Sequence, residues 1–98
     1  MIGWILAGLA AAVVVAALWE TFAPFVKSIL SKAHRYFRLF VKYIHDKFIG
    51  EVELDGYRTY EQEISEEEVP EEYRYIKYSY THKVDVTDDE ELRLQLEL

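Results

Sequence analysis

Three histidines, His34, His45 and His82, are the side chains in this 98-residue sequence best suited to proton transfer or metal ligation near neutral pH. The chain has no cysteine and no asparagine. That removes thiolate nucleophiles, Cys-ligated zinc, disulfides and N-linked glycosylation. His34 and His45 fall on nearly one side if they share a helix. Helical rise then separates them by roughly 16 Å, too far to share one metal or pinch one haem. His82 sits on the apolar side of an alternating stretch, where a packed or rim histidine is ordinary. Among carboxylates, Glu66, Glu67, Glu68, Glu71 and Glu72 cluster without the Asp-rich spacing of a calcium loop, and read as a solvated acidic surface. No residue stands in the spacing that a nucleophile, a tuned acid–base pair or a metal centre requires. The sequence therefore predicts a non-enzymatic protein, with no cofactor and no catalytic or metal-ligating residues.

The elements that would position these side chains begin with Ile2–Trp19, eighteen residues without a charge. As a helix this run rises roughly 27 Å, close to the hydrocarbon thickness of a bilayer. It predicts a transmembrane helix within residues 1–23, with Trp4 and Trp19 as interfacial anchors. No basic side chain precedes Lys27, which argues against a cleaved signal peptide. Lys27, Lys32, Arg35, Arg38 and Lys42 follow the run and mark the membrane-interface side. By the positive-inside rule the N-terminus lies outside and the rest is cytoplasmic. Two small-residue rows, Gly3, Ala7 and Ala11, and Gly8, Ala12 and Ala16, would let such helices pack closely.

The net charge of −7 divides unevenly: residues 1–49 carry +4 and residues 50–98 carry −11. The basic half would face anionic headgroups. The acidic half would repel phosphate, so nucleic acid is not an expected partner. Over residues 24–50, apolar positions from Val26 to Phe48 recur at steps of three and four. They predict one basic, amphipathic juxtamembrane helix opened by Pro24 and closed by Gly50.

From Glu51 the period becomes two. Asp55–Gly56 predicts a hairpin turn between alternating segments. Ser65 is placed to cap a short turn, and Ile76, Tyr78, Tyr80, Val84 and Val86 read as one face of a long strand. Leu92, Leu94, Leu96 and Leu98 read as the apolar side of a terminal strand able to add to another chain. The expected architecture is an α+β membrane protein with a transmembrane helix, the juxtamembrane helix, and a mostly antiparallel sheet of about four strands. Residues 51–98 form the acidic β module packed on that helix.

This pattern predicts a structural or accessory subunit. It would sit in the lipid bilayer and self-associate, as a homo-oligomer or within a larger membrane complex, or dock a partner through the β module. The competing expectation is a small oligomeric channel, holin-like protein or membrane-disrupting effector. That reading rests on the Ala-rich run followed by a cationic helix.

Overall fold

The computed structural model describes residues 18–31 and 36–97. Helix α1 (Phe22–Leu30) is followed by strands β1 (Phe37–Ile44), β2 (Lys47–Leu54) and β3 (Arg58–Ile64). Two 3-10 segments, Glu66–Glu68 and Glu71–Lys77, lead to strand β4 (Lys83–Asp85) and helix α2 (Glu90–Leu96). The four strands form one antiparallel sheet in the order β3-β2-β1-β4.

Register assigns the two faces. Leu39 opposes Val52, which opposes Tyr60; Val41 opposes Gly50, which opposes Gln62. Directly opposed residues point the same way, so this row continues through Phe37, Tyr43, Phe48, Leu54 and Ile64. The helices pack here, and Leu39, Val41 and Val52 are fully buried. Arg38, Phe40, Lys42, Ile49, Glu51, Glu61 and Glu63 occupy the other, open face.

Gly50 lets α1 settle on the sheet. A Cβ there would overlap the Phe22 ring. Phe22 is fully buried, and the ring takes the space that any side chain at position 50 would fill. Trp19, Ala23, Val26 and Leu30 bury beside it, while Leu92 and Leu96 of α2 complete the apolar layer.

Several expected elements are corrected. Residues 37–54 form a hairpin, not part of a helix over 24–50. His45 and Asp46 both take positive φ, 52° and 62°, in the two-residue turn between β1 and β2. Two positive φ values in sequence give a type I′ geometry, whose twist suits a hairpin. Phe40, Ile44 and Ile49 place apolar groups on the open face as well, which disguised the two-residue period. Leu92–Leu96 lie in a helix, not a strand, with Leu92 and Leu96 one turn apart and buried and Leu94 exposed. The long strand expected around Ile76–Val86 is reduced to Lys83–Asp85, and Tyr75, Tyr78 and Tyr80 point into solvent. The Asp55–Gly56 turn does join β2 to β3, with both residues at positive φ.

The membrane expectation changes too. Residues 2–17 of the apolar run, with Trp4 and the six packing positions, lie outside the described residues. Among the described residues no helix is long and apolar enough to cross a membrane. Trp19 is not an interfacial anchor but a fully buried core residue. The expected membrane-protein fold class, and the single-pass localisation taken from it, are overturned. The end of the apolar run is spent on the core of the folded domain.

Candidate functional site

Strand β3 ends the sheet. Its pairing with β2 uses one side of its backbone, and among the described residues no strand pairs with the other. The opposite end of the sheet is the three-residue strand β4. Beyond short β4, the Val86 N–H donates to the Leu39 carbonyl at 2.8 Å, and the Leu39 N–H donates to Thr87 Oγ1 at 2.9 Å. The Tyr43 N–H donates to the His82 carbonyl at 2.9 Å. A loop and a hydroxyl thus continue the pairing of β1 past β4, and of the two end strands β3 is the longer, with seven residues in line.

The chain builds this edge from local rules. Asp55 and Gly56 supply the positive φ values that reverse the backbone after Leu54. Alternation then sends Thr59, Glu61 and Glu63 to the open face and Arg58, Tyr60, Gln62 and Ile64 to the helix-covered face. Ile64 is buried and holds the far end of the strand to the core. Residues 58–61 and 63 are exposed.

Behind the edge lies an ionic network on the open face. Glu51, only 5% exposed, receives Lys42 at 2.8 Å and Lys83 at 3.3 Å. Lys42 also pairs with Glu61 on β3. Lys83 lies 4.2 Å from the centroid of the Phe40 ring. Burial pushes the Glu51 carboxyl up, but the hydrogen bonds and charges of Lys42 and Lys83 outweigh it and hold it below the ordinary carboxylate value. Burial likewise opposes the Lys42 charge, and Glu51 and Glu61 more than compensate, so its pKa is raised. Arg38 pairs with Asp85 at 3.0 Å, and Lys47 with Glu63 at 3.5 Å.

Two further carboxylates organise the opposite side of the sheet. Glu68, 2% exposed, accepts the Thr21 and Phe22 N–H groups on Oε1 at 2.8 and 3.0 Å. It thereby caps α1, whose own Thr21 side chain does not. Its Oε2 accepts from the Ser65 N–H and hydroxyl. Asp89 accepts the Trp19 indole N–H and the Leu92 N–H on Oδ1, and the Tyr73 hydroxyl on Oδ2 at 2.7 Å. Burial and the adjoining Asp89 charge raise the Tyr73 pKa. Beside this cluster an open cleft of about 440 Å³ is lined by Leu18, Pro70, Tyr73 and acidic residues including Glu72 and Glu91. The carboxylates that hydrogen-bond deeply here act on the fold itself.

The expected interface cations disperse. Lys27 is exposed on α1, Arg38 and Lys42 lie on the open face of β1, and Lys32 and Arg35 fall outside the described residues. Leu98, the last of the four leucines, also falls outside them. Sequence reading missed Glu51, Glu68 and Asp89. Asp89 carried the clearest signal: it precedes Glu90 and Glu91, acidic residues of a first helical turn, and Leu92 and Leu96 four apart. Glu68 had only the Ser65 spacing, which cannot reveal that its second oxygen reaches α1. The chain matches no known family model, and no curated protein or solved structure shows a significant likeness to it.

Proposed function

We propose that this chain is a non-enzymatic interaction module, a structural or accessory subunit that docks a protein partner along the free edge of β3. The observation that carries the reading is the position of a seven-residue strand at the end of the sheet, paired on one side only. An unpaired strand edge presents a row of backbone donors and acceptors that an extended segment can complete. The rest of the fold supports the reading by holding β3 still. Its β2 neighbour carries the core residues Phe48, Val52 and Leu54, and Ile64 ties the strand's end beneath α1.

The docking expectation drawn from the four terminal leucines moves with this. Three of them are helical or buried, and the edge lies in β3 instead. The pore reading loses the single cationic helix over 24–50 that motivated it, because residues 37–54 form the β1–β2 hairpin.

Photo-crosslinking in the native cell tests the proposal. A crosslinking residue replacing Gln62 in the full chain is expected to trap one defined protein, and a proline at Glu61 to abolish the adduct. The same crosslinker at Glu90, on the first turn of α2, serves as the control. Equal trapping from both positions, or none from Gln62, would remove β3 as the docking edge.

A further inference from the structure

We infer that the occupant of the β3 edge is an extended segment of a different protein, carrying lysine or arginine at alternate positions, and not a second copy of this chain. The inference rests on the edge-docking reading and specifies its partner.

The argument starts from strand parity. Side chains directly opposed across a strand pair lie on the same face of the sheet. The open-face row of β3 is Thr59, Glu61 and Glu63. A second copy pairing antiparallel about a two-fold axis would set this row against itself. Every such register that pairs five or more residues of the strand brings Glu61 or Glu63 beside Glu61 or Glu63 of the other copy, directly or on the diagonal. Like charges opposed across strands are destabilising. The chain as a whole adds to this, because each copy brings a net charge of −7.

A foreign strand with cations at alternate positions meets the opposite situation. Glu61 and Glu63 keep 51% and 60% of their side-chain surface exposed. Their present partners leave room for another cation. Lys42 divides its charge between Glu51 and Glu61, and the Lys47–Glu63 pair is long and solvated. On the other face the incoming strand would lay its intervening residues beside Tyr60, which is 40% exposed and presents an apolar ring at the rim. Backbone pairing thus supplies affinity, Glu61 and Glu63 select the cations, and Tyr60 favours an apolar residue between them.

Three synthetic peptides matched in length to β3 provide the test: alternating Lys/Val, Glu/Val and Thr/Val. Each is titrated into the full chain at low salt, while amide exchange and chemical shifts are followed across residues 58–64. The Lys/Val peptide is expected to protect alternate β3 amides, and its binding to weaken several-fold as salt screens the charges. The Glu/Val peptide is expected to leave β3 unprotected, and Glu61→Lys/Glu63→Lys to reverse the order. The single variant Glu63→Lys, at the more exposed position, carries the comparison if the double variant does not fold. Equal protection by all three peptides would overturn the charge selection and leave edge docking standing. No β3 protection by any peptide would overturn both. Protection of β3 that grows with concentration of the chain alone, with a dimer in sedimentation, would overturn the inference in favour of a second copy.

Discussion

The Trp19 indole N–H donates to Asp89 Oδ1 at 3.0 Å, joining residues seventy positions apart in the chain. Trp19 is fully buried with φ 59°, a left-handed conformation that a bulky side chain rarely adopts. Its N–H donates to the Glu68 carbonyl, and its carbonyl accepts from the Ala23 N–H. The Leu18 carbonyl accepts from Gln95 Nε2 at 2.7 Å. The segment entering α1 is therefore clamped by the C-terminal third of the chain, and it closes the core on which the β3 edge depends.

Removing the Asp89 carboxylate should be costly. Asp89→Ala deletes the N-cap of α2 and strands two donors, the Trp19 indole and the Tyr73 hydroxyl. Loss of a cap costs about 1 kcal/mol, and a buried unsatisfied donor about 1–3 kcal/mol. A combined loss of about 2–4 kcal/mol in urea unfolding, with an unchanged m-value, is the expected outcome. Asp88→Ala, at a side chain 99% exposed, should stay within about 0.5 kcal/mol. Equal effects of the two changes would contradict the assigned role of Asp89.

Gly50 and Phe22 should be energetically coupled. Gly50→Ala inserts a methyl group into the volume of the Phe22 ring. Overpacking of this kind costs about 1–3 kcal/mol. Phe22→Leu withdraws the ring and should make the added methyl less damaging in the double variant than in the wild-type background. Strict additivity in the double-mutant cycle would mean that the ring does not limit position 50.

Glu68 should protect the first turn of α1 from solvent exchange. Glu68→Ala leaves the Thr21 and Phe22 N–H groups without their acceptor, since Thr21 does not cap the helix. Hydrogen exchange at these two amides is expected to accelerate by more than exchange in β2. Glu68→Gln retains one carbonyl oxygen and should restore much of the protection. An unchanged exchange pattern in Glu68→Ala would argue that the cap has another source.

The open-face network should make stability fall in acid. Glu51 has its folded pKa below the ordinary value of 4.5. Its contribution is therefore fully present above that value and is lost as pH falls through the depressed folded pKa. Asp85 shifts in the same direction, because its bonds from Thr87 and Arg38 outweigh its burial. Comparing Glu51→Gln with the wild type isolates the Glu51 share. The stability difference between the two should shrink as pH drops below about 4.5. A difference that stayed constant from pH 7 into that range would remove the ionic role of Glu51.

The sequence alone was enough to place some elements and not others. The Asp55–Gly56 turn was legible because a short polar pair with access to positive φ fixes its own backbone. The acidic cluster after Ser65 was legible as a short capped turn for the same local reason. The β1–β2 hairpin was not, since apolar residues on both faces of β1 and β2 imitate a helical period. His45–Asp46 is also an uncommon sequence for its turn. The α2 helix has the pattern of a strand because Leu92, Leu94 and Leu96 satisfy a period of two, while the Leu92–Leu96 pair equally satisfies one helical turn.

By itself, the sequence determined the charge division, the lack of cysteine chemistry, the β2–β3 turn and the alternation that gives β3 its acidic row. These depend on residue type and on neighbours a few positions away. Only the tertiary structure decided that Trp19 belongs to a core, that Glu68 caps a distant helix, and that β3 ends the sheet. Each of these is a pairing between residues far apart in the chain. Local patterns do not encode such pairings, because strand order and burial are settled by which apolar faces meet when the whole domain packs.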